Sequence, residues 1–299
     1  MSEPIFVKEI STTYTNNIPD VRNVTEEIVL SKSVKDIIIK VKTTCSTGTT
    51  APTYNTRISE KSRVCSLFSL KINRRSKTDT KIEIEGKELP LIHSILNKDS
   101  FYSDNMPTSE SVSSADYYGS FSISNINIPV RKNKIYIDVN FKDVSDIVSS
   151  GDLDVSSVSV SIYFVYYENE KDFNPLSYDI ISILDVDLTA NVYYENWKLP
   201  EDNYLIAMVV DGYNNNAITF TDNEAVVLQN FNETILSSDY FAHIIQSQRV
   251  FNSLIDKTDY ENVYGISFQN LLYLNSTTKL KIKSSANLTM DLILMILEK

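Results

Sequence analysis

Tyr264-Gly265-Ile266-Ser267-Phe268, then Lys279-Leu280-Lys281-Ile282-Lys283, then the apolar run Leu288 to Leu297 close the chain and decide how the rest is read. Alternation at period two puts Leu280 and Ile282 on one face of a strand and the lysines on the other. The same series occurs about half a chain earlier: Tyr118-Gly119-Ser120-Phe121, then Lys134-Ile135-Tyr136-Ile137-Asp138-Val139, then Val158 to Tyr167. A short helical run precedes each copy, Leu91-Ile92-His93-Ser94-Ile95-Leu96 in one half and Tyr240-Phe241-Ala242-His243-Ile244-Ile245 in the other. The offsets are 243 − 93 = 150, 264 − 118 = 146 and 280 − 135 = 145. Three landmarks in one order at nearly one spacing predict a duplicated all-β domain.

Composition supports that expectation. A chain of 299 residues can hold two cores of ordinary domain size. Its 42% hydrophobic and 22% charged residues are those of a folded soluble protein. Eighteen Tyr and twelve Phe, with runs of Val, Ile and Thr, favour strands. Six Gly speak against nucleotide-binding folds, which spend glycine at phosphate loops, and a net charge of −11 argues against a nucleic-acid-binding surface. Glu3, Lys8, Glu9 and Asp20 interrupt any signal-peptide core, and runs such as Leu292–Leu297 are too short to cross a bilayer. A soluble product made in the cytosol is expected.

Taken in order, residues 1–23 are polar and read as an arm that orders only against a partner. Residues 24–170 form the first domain. Within it Ile37, Ile39 and Val41 share a face, as do Phe68, Leu70 and Ile72, then Ile82 and Ile84, then Val158, Val160, Ile162 and Phe164. Residues 46–62, 100–114 and 142–157 read as long polar loops, and Leu91–Asn97 as a two-turn connector helix. The charged segment from Glu168 to Pro175 marks the boundary, and residues 171–299 form the second domain. Strands are expected there at Ile180–Leu188, Val192–Trp197, Tyr204–Val210, Ala217–Thr221 and Val226–Phe231, with a helix from Tyr240 to about Ile255. Roughly eight strands per half predict an all-β chain of two tandem eight-stranded jelly rolls with short connector helices.

Few residues carry chemistry. His93 and His243 sit at matching places, either as a catalytic pair or as tethers of connector helices; duplication would put them in different domains, so tethering is the better reading. Cys45 and Cys65 flank one loop, either as a bridge between neighbouring strands or as two reduced thiols, and the second is the better reading. The acids Glu26-Glu27, Asp143/Asp146 and Asp152/Asp154 match no calcium loop and read as solvated surface. Lys71, Arg74, Arg75, Lys77 and Lys81 form a basic cluster, either a phosphate contact or a solvated hairpin tip. Tyr193, Tyr194 and Trp197 form either a sugar platform or a core aromatic cluster. No catalytic, cofactor or metal motif is present, so no catalytic, cofactor-binding or metal residue is expected, and the chain reads as one built to assemble.

The segment Tyr240-Phe-Ala-His-Ile-Ile-Gln-Ser-Gln-Arg-Val-Phe-Asn, followed by Tyr264–Phe268, the Leu280/Ile282 strand and the apolar strand ending at Glu298, resembles the second jelly roll of a viral family. Val24 to Glu168 is similar to the first, through Lys134–Phe141 and Val158–Tyr167. The family comprises the double jelly-roll major capsid proteins of tailless icosahedral, internal-membrane-containing viruses. It includes the tectivirus and corticovirus types and the lipid-containing phages of flavobacteria. The resemblance implies a homotrimeric, pseudo-hexagonal capsomer, with neighbouring capsomers and penton or minor capsid proteins as partners. It also implies an N-terminal arm touching the membrane or a neighbour, so that loss of residues 1–20 spares the trimer but impairs the shell. A glycan-binding surface or virion adhesion module, through Tyr193–Trp197 or the 100–114 loop, is the alternative.

Overall fold

β-Branched and aromatic residues at every second position extend the backbone through most of the chain. The structure is a computed structural model describing residues 10–15, 23–74, 79–97, 101–130, 134–212, 226–230, 233–238 and 263–297. It divides into two units, Met1–Ser177 and Tyr178–Lys299.

The first unit contains β1 (Ile10–Thr15), β2 (Asn23–Val29), β3 (Val34–Thr47), β4 (Thr53–Tyr54), β5 (Phe68–Arg74), β6 (Asp79–Glu85), β7 (Tyr102–Ser103), β8 (Ala115–Ile123), β9 (Lys134–Phe141), β10 (Val148–Ser150) and β11 (Leu153–Tyr166). Among the described residues its one α-helix, α1, spans Leu89–Leu96. Two antiparallel ladders run β1-β11-β3-β8-β7 and β6-β5-β9-β2, while β4 and β10 pair separately. The predicted apolar faces line the interior: Ile37, Ile39 and Val41, Val158 to Phe164 at alternate positions, and Phe68, Leu70, Ile72, Ile82 and Ile84 are all buried. Each such side chain contributes about 1.5–3 kcal/mol when fully withdrawn from water.

In the second unit the strands are β12 (Tyr178–Leu188), β13 (Asn203–Asp211), β14 (Val226–Asn230), β15 (Glu233–Ser238), β16 (Val263–Leu274), β17 (Lys279–Ile282) and β18 (Leu288–Leu297). The ladders run β16-β13-β18-β12 and β15-β14-β17. With β12, β13, β16 and β18 set against β1, β3, β8 and β11, the first ladder has the same order in both units. With β14, β15 and β17 set against β5, β6 and β9, so does the second. The agreement extends to register. One row across the first unit reads Thr12–Val160–Val41–Gly119, and one across the second reads Ser182–Ile293–Val209–Gly265. The two Tyr-Gly landmarks of the sequence thus occupy one place in two copies of a ladder. Below them a core of Leu205, Met208, Val210, Leu228, Leu280, Ile282 and the β18 residues Met290 to Ile296 at alternate positions fills the second unit.

The structure departs from the sequence reading at definite places. Residues 1–23 include β1, which zips along β11 from Ile10↔Ile162 to Thr15↔Ser157; a backbone ladder needs no apolar alternation, so polar composition hid it. The three polar loops are shorter than expected, because β7 and the β4–β10 pair form inside them and β11 begins at Leu153. Val192–Trp197 is no strand: a single bridge, Tyr194↔Ile282, stands where the first unit has β2. Ala217–Thr221 and the expected helix from Tyr240, with His243, lie outside the described residues.

The segment expected to separate the domains is fastened to the first unit. Glu170 accepts from the Ser33 backbone N–H at 2.6 Å and from Ser33 Oγ at 2.7 Å. Ser33 Oγ in turn accepts from the Val130 N–H at 2.8 Å. Tyr167 OH donates to Asn127 Oδ1, and Asn127 Nδ2 donates to the Leu176 carbonyl, both at 2.6 Å. This knot carries the unit's end from residue 170 to Ser177. Ser33 is 1% exposed, so Glu170→Ala leaves two buried donors without an acceptor and should cost about 1–3 kcal/mol. Chemical denaturation followed by intrinsic fluorescence checks it, with unchanged stability telling against the knot.

Candidate functional site

The residues picked out by sequence are dispersed, and most have structural employment. His93 lies on α1, and its Nδ1 accepts from the Ser122 N–H at 2.8 Å. Asn97 Nδ2 donates to the Ser122 carbonyl at 2.7 Å. β7 pairs only with Ser120 and Gly119 of β8, so His93 on the helix and Asn97 just past its end supply at Ser122 the acceptor and donor that a neighbouring strand would. The ring also meets Phe101 edge-on at 5.7 Å. His93 is the tether that its position in a connector helix predicted.

Cys45 on β3 and Cys65 at the end of the 3-10 turn Glu60–Cys65 are both free and buried. Burial, with the Asp154 carboxylate adding to it, pushes the Cys45 thiol up to about 12, and burial pushes Cys65 up as well. At pH 8 neither should react with a disulfide reagent until the fold is opened, when two thiols per chain should titrate. Because both folded values are raised, their contribution to stability is complete below the ordinary thiol value near 9.0 and declines as pH climbs towards 12. Denaturation midpoints from pH 8 to 11 check the sign; a flat profile would contradict it.

The acids behave as surface. Glu27 pairs with Lys134 across β2 and β9 at 2.5 Å, and that hydrogen bond holds its carboxyl below the usual range. Asp143 accepts from the Ser145 N–H at 2.8 Å, which lowers it likewise, and Asp146 accepts from the Asp143 N–H at 3.0 Å. The two form the cap of one 3-10 turn. Among the described residues no three His, Cys, Asp or Glu side chains gather to hold a metal ion.

The basic cluster is dismantled. Lys71 pairs with Glu83 at 3.0 Å on an exposed face. Arg74 and Lys81 are 3% and 0% exposed, and Lys81 Nζ donates to Ser177 Oγ at 2.6 Å. Arg75 and Lys77 lie outside the described residues. The aromatic trio also separates: Trp197 meets Tyr194 edge-on at 4.9 Å, and both pack against the second core, while Lys283 stands 4.8 Å over the Tyr193 ring. The core-cluster reading holds for Tyr194 and Trp197.

The three polar loops of the first unit meet at one end. Gly48 N–H donates to the Asp152 carbonyl, Asp152 N–H to the Thr50 carbonyl, and Ser111 N–H to the Gly48 carbonyl. Thr47 Oγ1 donates to Ser109 O at 2.7 Å and accepts from the Val112 N–H at 2.8 Å, while Tyr54 OH donates to Pro107 O at 3.0 Å. Gly151 makes the turn at φ +88°, where a Cβ would meet the Ala51 carbonyl at 2.2 Å. Such contacts, 53 to 104 residues apart in sequence, leave no local signal. Among the described residues no helix is long and apolar enough to cross a membrane.

Two units with one strand order, each passing between two antiparallel ladders, define the double jelly roll. No family model matches the sequence, and no curated protein matches it. Solved structures do share the fold. The MCP of STIV, the Sulfolobus Turreted Icosahedral Virus, is similar with a TM-score of 0.69 at 12% identity, over 98% of this chain and 97% of that one. PBCV-1 VP54, fitted into a reconstruction of the virophage Sputnik, gives 0.58 at 9% identity over 99% and 94%. The major capsid protein P2 from bacteriophage PM2 gives 0.50 at 10% identity over 97% of both chains. The double jelly-roll expectation is met over nearly the whole length.

Proposed function

We propose that this chain is a major capsid protein: three copies form a pseudo-hexagonal capsomer, and capsomers tile an icosahedral shell over an internal membrane. The supporting observation is that the whole double roll, with almost nothing left over on either side, is shared with the STIV protein. A chain made wholly of two matched rolls has six similar units in a trimer, which is what a hexagonal lattice needs. In this role the protein is structural rather than catalytic, and it belongs to the virion. Neighbouring capsomers and penton or minor capsid proteins are its partners, and the segment around β1 is the contact with membrane or neighbour. The adhesion alternative loses one of its platforms, because Tyr194 and Trp197 pack on a core.

Light scattering on the purified protein tests the reading. A 34.0 kDa chain gives 3 × 34.0 = 102 kDa for the capsomer, and obligate interfaces of more than about 2,000 Å² make it concentration-independent. A monomer at every concentration would overturn the proposal.

A further inference from the structure

Charges meet across strands on the outer faces of both ladders of the first unit, on the β1-β11-β3-β8-β7 side as Lys42–Asp116. On the β6-β5-β9-β2 side they meet as Glu27–Lys134 and Lys71–Glu83. On the first side two adjacent cross-strand rows also carry tyrosine, lysine and serine. One row is Tyr118 on β8, Lys42 on β3 and Ser159 on β11. The next is Tyr102 on β7, Ser120 on β8, Lys40 on β3 and Ser161 on β11. Directly opposed residues share a face, and rows two residues apart lie about 7 Å from one another.

Together these side chains line a shallow groove of about 430 Å³ over Gly119. Tyr102 and Tyr118 are 58% and 45% exposed, among only seven large apolar side chains so exposed in the described residues. That two of the seven share one groove sets it apart from scattered surface aromatics. Both rings are braced. Tyr102 OH donates to Asp104 Oδ1 at 2.5 Å, and the other Asp104 oxygen accepts from the Tyr118 N–H at 2.7 Å. Tyr118 OH donates to Asp116 at 3.3 Å, and Lys42, paired with that carboxylate at 2.8 Å, stands 6.0 Å from the Tyr118 ring. Lys40 is exposed at the second row, its ammonium 5.0 Å from the Tyr163 ring. Among the described residues no carboxylate lines the groove itself; Asp116 offsets the Lys42 charge from its rim, whereas Lys40 meets no carboxylate among them.

We infer that this groove binds a carboxylated oligosaccharide, the sugar faces stacking on Tyr102 and Tyr118 and the carboxylate meeting Lys40. Fixed aromatic faces with two torsions each make contact area at little entropic cost, and the Ser120 hydroxyl beside Tyr102 donates or accepts as the sugar requires. A shallow site suits a chain laid across it rather than a small molecule enclosed by it. The groove lies within one unit of one chain, so its binding does not depend on the capsid reading. It would give the assembled particle an affinity for acidic surface polysaccharide.

Titration calorimetry with tetragalacturonate against neutral cellotetraose, on the purified full chain, tests it. Tetragalacturonate should bind at least about tenfold more tightly than cellotetraose and lose affinity as salt rises. Tyr102→Ala and Lys40→Glu, both at exposed positions, should each weaken binding about tenfold or more while the circular dichroism spectrum is unchanged. Lys71→Glu, on the opposite ladder, should leave it alone. No binding of tetragalacturonate, equal binding of the neutral sugar, or insensitivity to both substitutions overturns the inference. So does loss of binding on trimer formation, which would make the face a contact between copies. A monomer that binds tetragalacturonate would refute the capsid proposal and leave this one standing.

Discussion

Gly86→Ala is expected to destabilise the first unit severely. Gly86 opens the 3-10 turn Gly86–Glu88 that leads from β6 into α1, and it is buried. A Cβ there would lie 1.9 Å from the Cys65 carbonyl oxygen and 2.8 Å from the Phe68 carbonyl oxygen. Both are backbone atoms, one ending the Glu60–Cys65 turn and the other starting β5, so no rotamer change relieves the overlap. Relief requires moving β5 from β6 at the end where Ser69 faces Glu85, or moving α1 and with it the His93 tether. A cost of about 3–5 kcal/mol follows, at the upper end of what single substitutions do. For a unit of this size that is roughly a 10 °C fall in midpoint. Gly48→Ala is the milder comparison: its Cβ would meet Asp152 Cβ and Oδ2 at 2.8 Å, a smaller overlap at an exposed turn rather than in a buried one. Calorimetry on both variants decides the matter. A Gly86→Ala midpoint no lower than that of Gly48→Ala would show that the backbone around Cys65 and Phe68 yields at little cost.

Why Gly86 could not be singled out from the sequence is part of a wider pattern. Alternation made the core strands legible: Ile37, Ile39 and Val41, or Val158 to Phe164, announce a face because burial on one side is a local, period-two constraint. Repetition made the architecture legible, since the Tyr-Gly landmarks at 118 and 264 recur at one register of two equivalent ladders. What stayed hidden depends on partners far along the chain. β7 exists because Tyr102 and Ser103 find Ser120 and Gly119, and the linker is tied down because Glu170 finds Ser33. Lys81 reads as surface by type, yet the fold buries it completely beside Ser177. Of the candidate groove, Tyr118 was visible only as half of a landmark. Its relation to Lys42, Ser159 and Tyr102 is a matter of strand order, which composition does not encode.

The same dependence on strand order changes the expected result of trimming the N-terminus. Were residues 1–20 only an arm, their removal would spare the subunit and impair assembly alone. Six of those residues, Ile10–Thr15, are β1, and they cover the middle of β11 at the edge of the first ladder. Deletion therefore exposes the β11 backbone from Ser157 to Ile162, a stretch rich in β-branched residues and without proline. At about 0.5–1.5 kcal/mol net for each backbone hydrogen bond given up, the loss should amount to several kcal/mol, enough to lower the midpoint by roughly 5–10 °C. The uncovered edge should also make the truncated chain aggregate in a concentration-dependent way. Deleting residues 1–9 alone keeps β1 and should leave midpoint and capsomer mass unchanged, so any assembly defect of that shorter truncation reports on the arm itself. Thermal scans and light scattering on the pair separate the two roles. A 1–20 deletion as stable and as soluble as the full chain would mean that β1 is dispensable to the ladder it extends.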